Sequence, residues 1–468
     1  MALSALAFAA GAQAVTYTTG VPLITGKLTS GVAVNQSTGD VYATSSGVTA
    51  GTSGEVGSLS RFSAAGAELP CTLNPAPMYP TGVAIDQSSG RIYSFDSEYG
   101  IFGGGEVRAY EAGCGDEVPA ITGTANATSG SAELTGVTTD HPLGHGQGIS
   151  GPGIPTGTFT GDAEVGSHVI KNVSVQSGKL AVGQSVVGPG ILEDKITAIL
   201  SPTEVEVGPE EGWGTVSGSF FTARTTVQSV TGSTVTLSNP AEATGAGVAI
   251  EGTAWFHRVY RGQSTVDSSG DILGVESQTL QKFRPWGEEV AAGGFPRAIS
   301  FPESVALDAK GDVYLTGQKE LSERNCTATT AYRLQKLNPE GEELPEGGPI
   351  GAESVFAGLT EHAVTVAVDQ KTGNVYVGIG CGPTFKIEQY GPGGTKLAEF
   401  GAGEFGAQGG EAFFSQLAID EASGTVYAGD PGNTAVQVFE DTTATRTLAT
   451  SVSPAGAGEV QCNETGQA

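Results

Sequence analysis

The chain has 468 residues, of which 72 are glycine, and its 50 acidic residues against 22 basic ones give a net charge of −28. This acidic balance, with no cluster of lysine or arginine to offset it, argues against a nucleic-acid or anionic-membrane partner. No apolar run approaches the ~18 residues of a membrane span, and no segment keeps apolar residues at helical spacing for long, so we predict an all-β protein rich in turns.

The N-terminus resembles the end of a secretory signal peptide. Residues 2–10 form a short apolar run, and Ala12, Gln13 and Ala14 fit a small-residue cleavage site, although a basic segment before the run is missing. We therefore assign residues 1–14 to a signal-peptide remnant. A secreted or cell-envelope location follows, and we expect a monomer there.

A hairpin signature recurs six times along the chain. Its clearest copy starts at Val364, alternates valines with smaller residues, turns at Asp369 and resumes an apolar strand at Val375. The six hairpins occupy residues 32–42, 83–93, 265–273, 305–314, 364–377 and 417–427. A third strand ends on an apolar residue in every copy, at Phe62, Tyr110, Phe283, Leu337, Tyr390 and Phe439. Each copy is thus predicted to be a small antiparallel meander.

A fourth strand led by glycine follows in four of the copies. It is predicted around Leu69, Val290, Leu344 and Leu397 in copies one, three, four and five. Copies two and six lack this pattern. For the last copy, residues 16–23 could supply the missing outer strand beside residues 435–440, with residues 445–451 as the alternative.

Residues 120–252 lack the hairpin signature and contain a repeat of their own. Residues 143–154 match residues 180–191, and residues 233–240 resemble residues 203–209. Short Thr- and Val-rich strands joined by Gly-Pro turns predict a compact β domain inserted between copies two and three. The segment is similar to small β repeats of phage fibres and bacterial surface proteins, and that resemblance implies adhesion or spacing.

The six hairpin copies resemble the NHL repeat, with G-V-A-V-D, then V-Y-V, then V-x-x-[FY] and a Gly-led last strand, best seen at residues 362–400 and 415–440. The resemblance implies a six-bladed β-propeller, with blades one and two in residues 15–119 and blades three to six in residues 253–450. Stacking is required because each meander has two apolar faces and cannot bury both alone. Residues 451–468 look like the opening strand of an internalin-type surface repeat, truncated where the sequence ends.

Connections of unequal length predict two different faces for such a ring. The turns between first and second strands and between third and fourth strands share one face, which we call the plain face. The other connections share the opposite face, which we call the decorated face. Length varies in that second set, at residues 44–56, 94–105, the insertion, 316–330 and 345–362. Because loops on a rigid scaffold carry function, we predict the binding site on the decorated face, with tolerated loop drift as the alternative.

Five residues are the binding candidates on the decorated face. Asp430 and Asn433 match the A-D-x-x-N pattern of the family's second strand, and among the other copies Asp96 comes closest. Glu303 and His362 precede the first strands of copies four and five. For Asp430 and Asn433 we favour capping of a loop over metal ligation. Capping of the tight turn also explains the acidic residues that close the first strands, Asp86, Asp267, Asp308, Asp369 and Asp420.

A metal-dependent enzyme is the alternative function. Propeller hydrolases and lyases, such as lactonases and virginiamycin B lyase, set His and acidic residues around a central cation, which Ca²⁺ would supply here. Outside residues 120–252 the chain has only two histidines, His257 and His362, which precede the first strands of copies three and five. We therefore predict no catalytic residue, no metal ligand and no cofactor.

Five cysteines, at positions 71, 114, 326, 381 and 462, are too widely spaced for a zinc site. In an oxidising compartment Cys326 and Cys381 are the first candidate pair, because both fall in second-to-third loops of adjacent blades. Cys71 and Cys114 are the second choice, since they are predicted toward opposite ends of their blades. The sequence therefore favours a secreted, non-enzymatic scaffold that binds a protein or carbohydrate partner through its decorated face.

Overall fold

The computed structural model describes residues 15–26, 28–46, 57–73, 80–96, 106–119, 121–164, 166–188, 191–208, 215–252, 264–276, 279–286, 290, 301–318, 332–341, 363–380, 384–406 and 416–442. Within these ranges the chain consists of β-strands and turns, with no α-helix. The predicted all-β class is confirmed.

The first nine strands precede the central region of the chain. They are β1 (Tyr17–Thr19), β2 (Leu23–Ile24), β3 (Leu28–Asn35), β4 (Asp40–Ser46), β5 (Ser58–Phe62), β6 (Glu68–Leu69), β7 (Pro80–Ile85), β8 (Ile92–Asp96) and β9 (Glu106–Tyr110). The central region contains β10 (Ile121–Ala127), β11 (Glu133–Thr139), β12 (Gly148–Ser150), β13 (Thr156–Ala163), β14 (Val169–Gly178), β15 (Ser185–Gly188), β16 (Ile191–Ser201), β17 (Glu204–Gly208), β18 (Val216–Thr231), β19 (Thr234–Leu237) and β20 (Gly245–Gly252).

The remaining strands follow the central region. They are β21 (Thr265–Val266), β22 (Ile272–Glu276), β23 (Thr279–Phe283), β24 (Phe301–Leu307), β25 (Val313–Gln318), β26 (Tyr332–Leu337), β27 (Ala363–Val368), β28 (Val375–Ile379), β29 (Lys386–Tyr390), β30 (Lys396–Phe400), β31 (Leu417–Asp420), β32 (Thr425–Asp430) and β33 (Ala435–Asp441).

These strands form six small antiparallel sheets and one large one in the described part of the chain. We number the small sheets in chain order as sheet 1 (β3–β6), sheet 2 (β7–β9), sheet 3 (β21–β23), sheet 4 (β24–β26), sheet 5 (β27–β30) and sheet 6 (β31–β33 with β1 and β2). The large sheet holds the eleven strands β10–β20. Each small sheet therefore coincides with one copy of the hairpin signature.

A side chain that caps the turn closes the first hairpin of each small sheet. In sheet 4, Asp308 Oδ1 accepts a hydrogen bond from the backbone N–H of Lys310 at 2.9 Å. In sheet 1, Asn35 Oδ1 accepts one from Ser37 at 3.0 Å. The same bond to the residue two positions on is made by Asp86, Asp267, Asp369 and Asp420. The prediction that these residues cap a tight turn is thus confirmed.

The two faces of each small sheet pack on different neighbours. In sheet 5, Val366 and Val377 share a buried cluster with Tyr314 of sheet 4. Ala367 and Tyr376 point the other way and share a cluster with sheet 6. The alternation of the V-A-V and V-Y-V segments places valines on one face and the Ala and Tyr side chains on the other. In sheet 5 a small residue beside a large aromatic ring thus forms the wall that faces sheet 6.

Six buried clusters join the small sheets in cyclic order. They lie between sheets 1 and 2, 2 and 3, 3 and 4, 4 and 5, 5 and 6, and again between 6 and 1. The last one joins Tyr427 of sheet 6 to Val32 and Val34 of sheet 1. The packing therefore returns to its starting point. We call this arrangement the ring.

The N-terminal segment completes sheet 6. In β1, Tyr17 lies opposite Asp441 and Thr19 opposite Phe439, while in β2 Leu23 lies opposite Val436. The predicted pairing of residues 16–23 with residues 435–440 is confirmed, and the alternative at residues 445–451 lies outside the described residues. Predicted fourth strands are present as β6 and β30. At the third predicted position, the Val290 N–H bonds the Lys282 carbonyl at 2.8 Å, and Leu344 lies outside the described residues.

The large sheet has two cores that share its longest strand, β18. One core gathers apolar side chains of β13–β18, and the other gathers those of β10–β12 and β18–β20. The predicted internal repeat has a structural counterpart, because Gln147 and Gln184 are both buried and accept hydrogen bonds from Gly144 and Ala181, each three residues earlier. The first and last strands of the large sheet, β10 and β20, pair with Ile121 opposite Gly252. The chain therefore enters and leaves the large sheet at one place.

Candidate functional site

At the decorated face, the structure describes the ends of the strands. The connections from β4 to β5, from β8 to β9 and from β25 to β26 start and end at this face, and they span residues 47–57, 97–105 and 319–331. On the plain face, short capped turns join the first and second strands, as at residues 36–39 and 421–424. The described strand ends that flank these three long connections thus all lie on one side of the ring.

The structure describes four of the five candidate residues, and they belong to three different sheets. Asp430 and Asn433 lie together at the turn between β32 and β33. Asp96 ends β8, where its backbone pairs with Pro80 and Glu106, and Glu303 is a half-buried residue at an irregularity of β24. His362, like His257, lies outside the described residues. No common site formed by all five is therefore described.

Asp430 is a buried carboxylate, 1% exposed, that holds a loop to sheet 6. Its Oδ2 accepts hydrogen bonds from Asn433 Nδ2 and Gln437 Nε2, each at 2.7 Å, and its Oδ1 accepts one from the Gly406 N–H at 3.2 Å. Asn433 and Gln437 also donate to the Glu404 carbonyl. The carboxylate is saturated by donors from its own chain, which agrees with the capping interpretation of Asp430 and Asn433.

Two glycines allow the loop at residues 401–406 to touch this turn. A Cβ added to Gly432 would lie 2.5 Å from the backbone of Gly406, so neither position has room for a side chain. Asp430 and the glycine contact together fix the start of the connection from sheet 5 to sheet 6. These contacts therefore hold one position of the decorated face in place.

Replacing Asp430 with alanine should lower the free energy of unfolding by roughly 2–3 kcal/mol, because buried donors lose their acceptor. The measurement is chemical denaturation of the variant and the parent chain. Asp162 is the matched control, since its carboxylate also accepts from Asn172, Ser217 and the Gly218 N–H but lies exposed on the large sheet. Asp162→Ala should change stability far less. Equal losses in the two variants would contradict the anchoring role of Asp430.

A central channel is the second site, and its end on the plain face was not predicted from the sequence. The first strands of all six small sheets line a cavity of about 300 Å³. Its mouth on the plain face is formed by the residues that directly follow the capping Asn or Asp in four sheets. They are Gln36, Gln87, Gln370 and Glu421 of sheets 1, 2, 5 and 6. A recurring Gln or Glu at this position was the signal that could have revealed it.

A chain of hydrogen bonds runs along the mouth from sheet to sheet. The Gln370 N–H donates to Glu421 Oε1 at 3.2 Å, the Glu421 N–H donates to Gln36 Oε1 at 3.0 Å, and the Gln36 N–H donates to Gln87 Oε1 at 2.9 Å. The Gln36 and Gln87 amides also donate to the carbonyls of Ile419 and Val34. Three of the four mouth side chains are therefore held in place. Sheets 3 and 4 carry Ser268 and Ala309 at this position.

Gln416 directly precedes β31 and is buried at the decorated-face end of the first strands. Its Oε1 accepts hydrogen bonds from the Val32 N–H at 2.9 Å and the Val83 N–H at 3.2 Å, so this one side chain of sheet 6 joins sheets 1 and 2. The close approach of the Gln416 side chain to sheet 1 depends on Gly31, because a Cβ added there would lie 2.7 Å from Gln416 Oε1.

Ion pairs distribute the charge of the plain face unevenly. In sheet 4, Lys336 Nζ lies 2.7 Å from Asp312 and 3.1 Å from Asp308. Burial alone would lower the pKa of Lys336, but hydrogen bonds to these carboxylates hold it above its ordinary value. Sheets 1 and 3 carry the corresponding pairs Arg61–Asp40 and Lys282–Asp267. In sheets 5 and 6, Gln389 and Val438 stand where these cations would be, so the acidic turn residues there face no such partner.

The large sheet is attached near the plain face, which corrects its prediction as a decorated-face element. In sheet 2 the outer strand is reduced to a bridge between Tyr110 and Glu117, so the chain departs beside the plain-face turn before crossing the sheet. Arg224 of the large sheet lies 3.0 Å from Glu117. His141 stacks on Trp286, which follows the third strand of sheet 3, with ring centroids 3.7 Å apart. The large sheet therefore contacts sheets 2 and 3.

A disulfide joins Cys71 and Cys114, with their Cα atoms 5.2 Å apart. This was the second-choice pair, and the expected separation of its cysteines was wrong. Strand β6 is only two residues long, so Cys71 stays close to the plain face, where Cys114 lies in the turn after β9. Cys326 and Cys381 lie outside the described residues.

The described residues hold neither a metal-binding cluster nor a membrane-spanning helix. No group of three or more His, Cys, Asp or Glu side chains there is placed to hold a metal ion. No helix long and apolar enough to cross a membrane occurs in that part of the chain.

Comparisons with known proteins give distant similarity in fold. No protein-family model matches the sequence, and no curated protein matches it. Similar solved structures are the WD40 beta propeller domain of Doa1, at 9% identity and a TM-score of 0.36 over 91% of this chain and 97% of that one, and the RRP9 WD40 repeats, at 9% and 0.37 over 92% and 99%.

A nidogen/laminin complex also matches, at 18% identity and a TM-score of 0.30 over 40% of this chain. That match spans 64% of the other chain, less than two thirds of its length.

Proposed function

We propose that this protein is a secreted, non-enzymatic interaction scaffold that binds a protein or carbohydrate partner through its decorated face. In this proposal the six small sheets are the blades of one NHL-type propeller, and the large sheet is a domain inserted between blades two and three. The cyclic order of the six buried clusters supports the ring. Pairing of Ile121 with Gly252 supports the insertion, because an inserted domain needs adjacent ends.

The observation that carries the functional proposal is the contrast between the two faces. Plain-face hairpins are closed by side-chain caps in all six small sheets, whereas the connections at residues 47–57, 97–105 and 319–331 leave from the decorated side. A rigid frame with variable connections on one side is the usual arrangement of binding scaffolds. The disulfide supports secretion, since such bonds persist in oxidising compartments.

Loop replacement tests the proposal. A glycan array and a panel of purified cell-surface proteins would first identify a ligand of the full chain. Replacing residues 47–57 or 319–331 with a short Gly-Ser turn should then reduce binding by at least about tenfold, a change of 1.4 kcal/mol. The matched control replaces the plain-face turn at residues 63–67, which should leave affinity unchanged. Binding that survives both decorated-face replacements would contradict the proposal.

A second comparison addresses the large sheet and the enzymatic alternative. A chain in which residues 121–252 are replaced by a short linker should still form the ring, because the ends to be joined already lie on neighbouring strands. If that chain keeps the ligand, the ring carries the binding. Stoichiometric Ca²⁺ or Zn²⁺ in the purified full chain would favour the alternative of a metal-dependent hydrolase or lyase.

A further inference from the structure

A repeated pair of hydrogen bonds joins neighbouring small sheets at the plain-face mouth of the channel. Gln36 of sheet 1 accepts the Glu421 N–H at its Oε1 and donates from its Nε2 to the Ile419 carbonyl, at 3.0 and 2.6 Å. Gln87 of sheet 2 accepts the Gln36 N–H at its Oε1 and donates from its Nε2 to the Val34 carbonyl, both at 2.9 Å. Each glutamine therefore uses both its oxygen and its amino group to hold one neighbouring sheet.

Glu421 occupies this position in sheet 6 but makes only half of the pair. Its Oε1 accepts the Gln370 N–H of sheet 5 at 3.2 Å, as the glutamine oxygens do for their neighbours. Its Oε2 replaces the amino group of a glutamine, and that oxygen makes no hydrogen bond to a described residue. An ionised carboxylate has no proton to donate, whereas a neutral carboxylic acid has one. The second bond of the pair is therefore open only to the protonated form of Glu421.

The matching acceptor in sheet 5 is the carbonyl of Val368. The carbonyls that the two glutamines bind belong to the residue directly before the capping Asp or Asn of a sheet, and Val368 holds that place before Asp369. Asp369 donates its N–H to the Asn374 carbonyl across the hairpin. Val368 is one residue earlier and lies opposite Val375, so strand alternation turns its carbonyl away from β28. Val368 and Glu421 also line the same cavity.

We propose that Glu421 is a pH-sensitive connection between sheets 5 and 6, in which the protonated carboxyl donates from Oε2 to the Val368 carbonyl and ionisation breaks that bond. In the acidic form, Glu421 makes the same pair of bonds as Gln36 and Gln87. In the ionised form, a carboxylate oxygen faces a carbonyl oxygen with no proton between them. The connection lies on the plain face, so it does not depend on the partner proposed for the decorated face.

The charged groups that face Glu421 come from its own sheet and from sheet 5. Asp369 and Lys371 belong to sheet 5 and Asp420 to sheet 6, while the side chain that meets its backbone from sheet 1 is an uncharged amide. Burial raises the pKa of Glu421, and the two aspartates raise it further, whereas the Gln370 N–H and Lys371 lower it. The net shift is upward from the ordinary value of 4.5.

A folded-state pKa above the unfolded value fixes the direction of the pH dependence. The folded chain keeps a proton on Glu421 that the unfolded chain gives up near its ordinary pKa of 4.5. The stabilisation is therefore fully present below that pH and is lost as the pH rises through the folded-state pKa. The connection between sheets 5 and 6 should be strongest in acid and weakest at neutral pH.

Chemical denaturation of the full chain at a series of pH values between about 4.5 and about 7.5 tests the connection. Glu421→Gln supplies the donor at every pH and keeps the acceptor for the Gln370 N–H. At neutral pH its equilibrium constant for folding should exceed that of the parent by at least about fivefold, and the difference should disappear toward the acidic end. Glu68→Gln, on the exposed outer strand of sheet 1, is the matched control and should show no such pH-dependent gain.

Two further measurements separate the donated bond from simple relief of charge repulsion. Gln36→Glu places a carboxyl beside the Ile419 carbonyl in a sheet whose cap, Asn35, is neutral, and it should lose stability at neutral pH and regain it in acid. Hydrogen exchange at neutral pH, followed by mass spectrometry, should be slower in Glu421→Gln than in the parent for residues 364–372. A gain in Glu421→Gln that is the same at every pH, or a Gln36→Glu chain with the pH profile of the parent, would overturn the proposal.

Discussion

Removing residues 1–26 should lower the free energy of unfolding by roughly 5–10 kcal/mol, most of the net stability of an ordinary domain. The truncation deletes β1 and β2 and exposes the edge of β33 along its whole length. A sheet edge left open in this way exposes backbone groups that pair with other chains. We therefore expect the truncated chain to be largely unfolded or aggregated.

The size of this effect follows from what the segment buries. Tyr17 stacks on Phe400 with centroids 3.9 Å apart, and its hydroxyl bonds that of Tyr376 at 2.9 Å. Leu23 is 7% exposed in the cluster between sheets 6 and 1. Full burial of Leu23 contributes about 1.5–3 kcal/mol, and the half-buried Tyr17 contributes less than a fully buried aromatic ring would. The backbone bonds to β33, such as Gly20 N–H to Val438 O at 2.8 Å, add about 1 kcal/mol each.

Chemical denaturation of three chains measures the effect. A chain lacking only residues 1–14 keeps both strands and should remain close to the parent. Within the segment, Tyr17→Ala should be strongly destabilising, whereas Val21→Ala should be nearly neutral because Val21 is 85% exposed. A synthetic peptide of residues 15–26 added to the truncated chain should restore the folded signal. A stable, monomeric truncation would contradict closure by this segment.

High pH provides an independent check of the same contact. Burial raises the pKa of Tyr376 to about 12 and raises that of Tyr17 as well. The folded state therefore keeps protons that the unfolded chain loses near its ordinary pKa of 10.0. Stability should fall as pH rises from about 10 toward 12, and Tyr17→Phe should reduce that fall.

The periodic part of the fold was predictable from the sequence. Alternation of valine with alanine and tyrosine marks the first hairpins, because strand geometry sends successive side chains to opposite faces. The Asn or Asp at the end of each first strand marks the turn, since its side chain satisfies the backbone locally. Pairing of residues 16–23 with the last sheet also followed, because the sixth copy lacks a fourth strand of its own.

The candidate site was less predictable because its parts are distant in sequence. Asp430 is held by a loop whose Gly406 approaches Gly432, and no local pattern announces that backbone contact. The mouth of the channel joins Glu421 to Gln36 across the closure of the ring, and the significance of a Gln at that position emerges only when all the sheets meet. The attachment of the large sheet was misjudged because a strand reduced to one bridge moves the departing chain to the other face.

Breaking the disulfide with Cys71→Ala should lower the free energy of unfolding by about 4 kcal/mol. The two cysteines are 43 residues apart, and freeing a loop of that length restores about this much chain entropy to the unfolded state. The loss should fall mainly on sheets 1 and 2, because the bond ties the segment after β6 to the turn after β9. Arg61, which donates to the Gly113 carbonyl at 3.0 Å, is the other tie at this turn.

The choice of variant matters because Cys114 has a positive φ of 78°. Cys114→Gly removes the bond and relaxes the backbone at the same time, so it should cost less stability than Cys71→Ala. Both variants are compared with the parent by denaturation with and without a reducing agent. Under reducing conditions the parent should be no more stable than Cys71→Ala. A parent chain that shows no loss on complete reduction of this bond would contradict the prediction.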